Sequence, residues 1–296
     1  MIKTERSDNM SDSLLAKIES RMSDFSKSQR YLANYIIEHY EKAAFMTAAK
    51  LGAAVNVSES TVVRFAIEMG FEGYPEMQRA LQNYSRNRLT TLQRLDIAND
   101  RFNGSNLLKN VLSQDMERIR TTLENVSEED FQKAIDVIFN ARSIYIFGAM
   151  SSNILARFLD NYLHLAFNNV VNVQPINTSG ILQQLIHLSK DDVFISISFP
   201  RYSKNALNAT AYAKKCGANI ISITDSPASP LAEYADELLL AKSDMVSYAD
   251  SLVAPLSLIN AIIAAVGMRC SNQLETTLTR LEALWDENEA YKKDDI

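Results

Sequence analysis

Lys50-Leu-Gly-Ala-Ala-Val-Asn-Val-Ser-Glu-Ser-Thr-Val-Val-Arg-Phe-Ala-Ile-Glu-Met-Gly-Phe71 contains two short amphipathic helical patterns separated by a polar turn at Asn56-Val57-Ser58. In the second pattern Val62, Phe65, Ala66 and Met69 recur at helical spacing and face inward. Ser58 stands where a hydroxyl caps a helix, and Thr61, three positions later, can bond locally. The first pattern carries Ala49, Ala53 and Ala54, small residues suited to a close helix crossing. A recognition helix of a helix-turn-helix needs short polar residues and a cation at its leading end. Ser58, Ser60, Thr61 and Arg64 supply them, with Lys50 as a weaker backbone candidate. Two bland readings compete: an ordinary αα-corner, and an ion pair between Arg64 and Glu68, four residues on.

Working outward, Leu14, Leu15, Ile18 and Met22 mark an earlier helix. Tyr31, Leu32, Tyr35, Ile36 and His39 mark another, preceded by Ser28. The first ten residues are polar and expected to be disordered. After Gly70–Pro75 a further helix runs from Glu76 to about Arg88. Residues 1–86 thus form an all-α module, and 87–106 have the polar composition of a linker with some helical tendency. Residues 107–296 form the second domain, opened by helices at Leu107–Glu124 and Glu128–Asn140.

At Ser143 the period changes. Ser143–Phe147, Val170–Val173, Asp192–Ile197, Asn219–Thr224 and Glu237–Leu240 are strand-like runs, separated by helical patterns that include a short one near Leu231–Tyr234. Apolar strands alternating with helices predict an α/β, doubly wound, parallel five-stranded sheet of flavodoxin-like order. Two strand ends are rich in hydroxyls: Phe147-Gly-Ala-Met-Ser-Ser-Asn153 and Ile195-Ser-Ile-Ser-Phe-Pro-Arg-Tyr-Ser-Lys204. Ligands of open parallel sheets bind at such ends, where helix N-termini present N–H groups. Gly148, Ser152, Ser198, Arg201, Tyr202, Ser203 and Lys204 are therefore the candidate ligand residues, converging if the first and third strands are neighbours. Serines are also common helix caps, and Arg201 also suits a subunit contact. The third end, Thr224-Asp225-Ser226, reads as a turn.

The global balance narrows the classes. The chain of 296 residues carries a net charge of −6. Residues 1–90 hold 12 Lys and Arg against 11 Asp and Glu, and the rest hold 18 against 25. A near-neutral helical module gives little affinity for phosphates alone, so two copies are expected to act together on a palindromic site. Cys216 and Cys270 lie in apolar helical patterns and read as buried reduced thiols of a reducing compartment. His39, His164 and His187 have no second ligand at metal spacing, so neither metal nor cofactor is expected. The N-terminus lacks a signal-peptide core, and the run Leu252–Met268 is interrupted by Pro255, Ser257 and Asn260. A cytoplasmic protein without a membrane partner is expected.

The chain resembles the RpiR-type transcriptional regulators, which join an N-terminal helix-turn-helix to a C-terminal sugar isomerase (SIS) domain. The resemblance rests on Val57–Phe65 and Met69–Tyr74 in the first module. In the second it rests on Ile144–Gly148, Asp192–Ser198 and Ala213–Thr224. It implies a homodimer or homotetramer that binds a double-stranded DNA operator and senses a small anionic carbohydrate-derived effector. The family's first phosphate loop reads Gly-x-Gly-x-Ser-Gly, and here Met150 and Asn153 replace the second and third glycines. The second reads Ser-x-Ser-Gly-x-Thr, and here Pro200 and Arg201 replace its second serine and its glycine. Glycine permits φ > 0, and proline has no N–H. The usual backbone cradle is therefore not expected, with a bidentate Arg201 contact as its replacement. A phosphate ester, a carboxylate and an unphosphorylated polyol all stay open. The alternative function is a sugar-phosphate isomerase or other SIS enzyme. It needs an acid–base pair; no His follows His187 and neither hydroxyl-rich loop contains a carboxylate, so no catalytic residue is expected, although Glu233 or a residue of a neighbouring subunit could serve.

Overall fold

The computed structural model describes residues 12–86, 88–101 and 106–291. The polar first ten residues, expected to be disordered, lie outside them. The chain divides into two compact units. The first comprises the described residues up to Val111 with Met245–Asp250, and the second Leu112–Asp244 with the described residues from Ser251 onward.

The first unit is helical: α1 (Asp12–Ser20), α2 (Lys27–Glu38), α3 (Tyr40–Ala43), α4 (Ala48–Ala54), α5 (Glu59–Glu68), α6 (Tyr74–Arg86) and α7 (Thr91–Arg101). The cap of α2 is Ser26 rather than Ser28, because Ser26 and Gln29 exchange backbone and side-chain bonds in a capping box. Ile18, Leu32, Ile36, Leu51, Val62, Phe65, Met77 and Leu81 are fully buried and form the core. Each such side chain contributes about 1.5–3 kcal/mol of burial. Tyr74 Oη donates to Met46 O at 2.7 Å, tying the start of α6 to the turn before α4. Burial pushes its phenol well above the usual range.

The stretch 87–106, expected as a linker, contains α7. Thr90 and Gln93 form a second reciprocal cap at its start. Leu89 and Ile97 are buried with Met245, and the nearly inaccessible Arg94 donates to Asp250 at 2.8 Å. Polar composition hid this helix because its key polar side chains are caps and a buried ion pair rather than solvated groups.

In the second unit β1 (Ile144–Gly148), β2 (Val170–Val173), β3 (Val193–Ile197), β4 (Asn219–Thr224) and β5 (Glu237–Leu240) form a parallel sheet of order β2-β1-β3-β4-β5. This is the expected doubly wound α/β architecture. Side chains alternate between two cores. Ile144, Ile146, Val193 and Ile195 join α9 (Glu128–Asn140), α10 (Ser152–Ala166) and α13 (Val253–Arg269) on one face. Tyr145, Phe147 and Phe194 join α11 (Thr178–Gln184) and α12 (Lys204–Lys215) on the other. The helix expected near Leu231–Tyr234 is a run of turns, with the Ser229 hydroxyl bonded by Leu231 N at 3.1 Å.

Two helices leave apolar faces outward. α8 (Leu107–Asn125) turns a polar side inward: Asp115 accepts from Arg118 and Ser251, and Thr122 Oγ1 accepts from Lys242 N. Its Leu112, Met116 and Leu123 are 54%, 65% and 74% exposed. α14 (Ser271–Glu287) has no buried residue. Its Leu274 and Leu278, with Tyr162, Ile263, Val266 and Gly267, border an apolar cavity of about 190 Å³. No single described helix is long and apolar enough to cross a membrane; α13 and α14 together meet the length but are bent apart by 98°.

Asp192 holds the N-terminal edge of β1 and β3. Arg142 reaches it through Nε and Nη2 at 2.9 and 2.7 Å, and Ser189 N donates at 2.7 Å. Burial works to raise this carboxyl, but the bonds from Arg142 and Ser189 outweigh it and hold the group below the ordinary 3.8. Such a group adds stability above its unfolded value and loses it as pH falls through the folded one. Asp192→Ala is expected to cost about 2 kcal/mol at neutral pH, since exposed Arg142 regains water. In urea titrations the gap between the two proteins should close as pH falls below 3.8. A gap unchanged by pH contradicts the assignment.

Candidate functional site

The first candidate site is the joint between α4 and α5. A side chain at Gly52 would place its Cβ 2.7 Å from Val57 O, so the chain can turn back only over a glycine. Asn56 takes φ +62°, a left-handed conformation that Asn tolerates better than most residues. Ser58 then caps α5, accepting from Thr61 N at 3.3 Å. Its hydroxyl also lies 2.9 Å from those of Ser60 and Thr61. The structure thus brings three of the sequence-predicted residues into one hydroxyl cluster. Arg64 is exposed on the next turn, and exposed Lys50 lies on α4. Glu68 is not the partner of Arg64: it accepts from Gln29 of α2 and lies 3.9 Å from Arg21. Among the described residues Arg64 has no ion pair or hydrogen bond.

The second candidate site lies at the C-terminal ends of β1, β3 and β4. Gly148 pairs with Ile197 across β1 and β3, so the loops leaving the two strands are neighbours. At Gly148 any Cβ would sit 2.3 Å from Ser152 O, which explains the glycine: the strand end presses on the first turn of α10. Ser152 and Ser198 are buried at the base of the loops, while Arg201 and Lys204 are exposed. Ser203 N donates to Ser198 Oγ at 3.4 Å. The caps of α10 and α12, Ser151 and Ser203, make no side-chain capping bond. Their hydroxyls are not spent on their own helices.

Two features of these strand ends emerge only in the structure. Met150 and Arg201 occupy family glycine positions, yet the backbone keeps the left-handed turn at both, with φ +54° and +71°. Both turns therefore carry a side chain where the family pattern has glycine. The two hydroxyl-rich loops contain no carboxylate, but the neighbouring loop after β4 brings one to them. Asp225, set aside as a turn after β4, accepts from Tyr202 Oη at 2.7 Å. Sequence reading missed Asp225 and Ser151. Pairing of β3 with β4 was the signal for Asp225, because it sets the ends of these strands side by side. Among the described residues no group of three or more His, Cys, Asp or Glu can hold a metal ion.

Residues 12–88 match the helix-turn-helix domain of the rpiR family, and residues 137–265 match the SIS domain. The chain is an RpiR-type transcriptional regulator. It is 25% identical to the HTH-type transcriptional regulator HexR of Escherichia coli, covering 95% of this chain and 96% of HexR. The sugar isomerase domain of an RpiR transcription factor from Sphaerobacter thermophilus is similar at 26% identity and TM-score 0.55. That match covers 59% of this regulator and 97% of that domain. The Vibrio vulnificus NanR protein, solved in complex with ManNAc-6P, shares the fold at 21% identity and TM-score 0.56. It covers 92% of this chain and 97% of NanR.

A non-glycine residue in the left-handed region costs about 1–2 kcal/mol. Met150→Gly and Arg201→Gly relieve that cost but loosen the unfolded chain, so each is expected to stabilise by about 0.5–1 kcal/mol. Thermal denaturation checks it; a lowered midpoint for both variants argues against left-handed strain at these positions.

Proposed function

We propose that this regulator binds operator DNA through α5 and that a small phosphorylated, sugar-derived effector at the β1–β3 crevice changes operator affinity. The observation that carries the effector reading is the meeting of two helix N-termini, α10 and α12, whose cap hydroxyls serve neither helix. Helix N-termini present N–H groups and a partial positive charge to anions. Lys204 in the first turn of α12 works against that dipole, and a bound anion offsets the conflict. Arg201 supplies a planar fork suited to phosphate. Gly148, Ser152, Ser198 and Ser203 line the base, and Tyr202 the wall. NanR in complex with a phosphorylated sugar supports the phosphate ester over a carboxylate or a bare polyol. We propose no catalytic turnover, and a cytoplasmic location beside the DNA.

For DNA, Ser58, Ser60 and Thr61 present clustered hydroxyls to phosphates or base edges, and Arg64 reaches a base edge from the adjoining turn. Lys50 adds a backbone contact. Two copies act together. The exposed stripe of Leu112, Met116, Ile119 and Leu123 on α8 has heptad spacing and is the favoured contact between them, ahead of α13 and α14.

Arg64→Ala is expected to weaken operator binding by about 1–3 kcal/mol and to relax specificity at one position. Unchanged affinity and specificity in a folded variant reject the assignment. For the effector, hexose 6-phosphates are expected to shift operator affinity in electrophoretic assays, and Arg201→Ala to abolish the shift while DNA binding and assembly persist. Lost assembly with retained ligand affinity would instead place Arg201 in a subunit contact. Met116→Glu with Leu123→Glu is expected to give monomers by sedimentation at micromolar concentration, with weaker operator binding. A dimer that survives this change points to another surface.

A further inference from the structure

We infer that the hairpin Met245–Asp250 carries the effector response from the SIS domain into the DNA-binding module, with the Asp250–Arg94 pair as its latch. The inference rests on the proposed effector reading and adds the regulation of that site. In chain order this segment stands between β5 and α13, elements of the second unit, yet it belongs to the first. The chain thus passes between the units once inside α8 and again at each end of the hairpin. A single flexible linker leaves two domains independent. A loop rooted in one fold and packed into another makes a change in either felt by both, which is what an energetic coupling requires.

The packing of the hairpin is specific. Met245 is buried with Leu89 and Ile97, and Phe45 packs against them. Phe45 also packs on the core of the helical module and shortly precedes Thr47, which caps α4. Met245 and Asp250 pair as an antiparallel bridge, and Val246 N donates to Ala249 O at 3.0 Å. The Asp250 carboxylate accepts from Arg94 Nη1 at 2.8 Å, with Arg94 only 2% exposed. An apolar pair fills such a space with less desolvation. What the ion pair adds is register, because drawing Asp250 away strips a buried guanidinium of a charged partner.

The roots of the hairpin lie in the second unit. Ser251 N donates to Asp244 O at 2.9 Å and Ser243 Oγ to Ser251 O at 3.0 Å, closing its base. Ser251 Oγ donates to Asp115 at 2.7 Å and accepts from Val253 N, the first residue of α13, at 3.3 Å. Parallel strands end on one edge of a sheet. β5 therefore leads into the hairpin from the edge where β1 and β3 open the proposed crevice, two strands and roughly 10 Å from β3. α10, which starts in the first crevice loop, shares a core with α13 through Leu155, Leu159, Ile259 and Ile262. A ligand that bears on the start of α10 thus acts on the root of the hairpin through one layer of packing. Met245 and Asp250 pass the change to α7 and to the turn before α4.

Operator affinity of the full chain, measured by fluorescence anisotropy with and without saturating hexose 6-phosphate, gives a coupling factor. Titration calorimetry gives the affinity for the sugar phosphate itself. In the unsubstituted protein the factor should be about fivefold or more. Asp250→Asn keeps the shape of the hairpin and removes the latch. It is expected to bring the factor below about twofold while sugar-phosphate affinity stays within about twofold of the unsubstituted value. Coupling is reciprocal, so operator DNA should also cease to alter sugar-phosphate affinity. Arg94→Met combined with Asp250→Leu leaves no buried charge behind and is expected to fold and to lose the coupling likewise, which covers the case of an unfolded Asp250→Asn. A factor that keeps its unsubstituted value in the folded variants overturns the inference and leaves the effector reading standing. Sugar-phosphate affinity lost in parallel with the factor also overturns it, because the hairpin would then belong to the binding site. An unsubstituted protein whose operator affinity no hexose 6-phosphate changes overturns the effector reading and this inference with it.

Discussion

The parallel pairing of β1 with β3 is the constraint on which the proposed effector site depends. Because β2 lies outside β1, the chain reverses direction across the sheet between β1 and β3, and Gly148 comes opposite Ile197. That register brings the loops to α10 and α12 side by side and leaves a crevice between helices on opposite faces of the sheet. The register is in turn held by alternation: Ile144 and Ile146 cannot slip by one residue without exchanging cores with Tyr145 and Phe147. Asp192 locks the opposite end of the same two strands by joining Arg142 and Ser189. A ligand that bridges the two loops thus presses on elements with little freedom to yield internally.

The DNA-binding end depends on a smaller version of the same logic. Gly52 lets Val57 O approach to a distance no side chain would tolerate, so α4 and α5 meet at a fixed joint. Arg64, the cation proposed for DNA contact, stays without an acidic partner because of a detail elsewhere in the module. Arg21 and Gln29 occupy Glu68, which removes the acidic neighbour that helical spacing offers to Arg64. A whole-chain charge of −6 therefore does not decide whether this face meets phosphates. In the proposed reading two or three local groups decide it, multiplied by a second copy.

Much of this was legible in the sequence for identifiable reasons. Val62, Phe65, Ala66 and Met69 carry a single unambiguous period, and the strand runs from Ser143 onward are apolar and punctuated by loops. What escaped has a common cause: residues whose role depends on a distant partner. Arg94 looked like a solvated linker residue until Asp250, remote in sequence, paired with it. Asp225 looked like a turn residue until Tyr202 reached it across the strand ends. Met150 and Arg201 stand at family glycine positions, and their left-handed backbone shows only in the structure, because whether a side chain tolerates that turn depends on its surroundings. The α8 stripe was missed because its polar side faces inward, the reverse of the usual amphipathic reading.

The central claim is that effector contact begins at the β1–β3 crevice. Hydrogen exchange of the full chain, measured by mass spectrometry with and without a hexose 6-phosphate that alters operator affinity, addresses it directly. The account predicts ligand-dependent protection of residues 148–153 and 198–204, with the start of α12 most affected. Protection concentrated instead around the apolar cavity between α10, α13 and α14, with both loops unchanged, would contradict it.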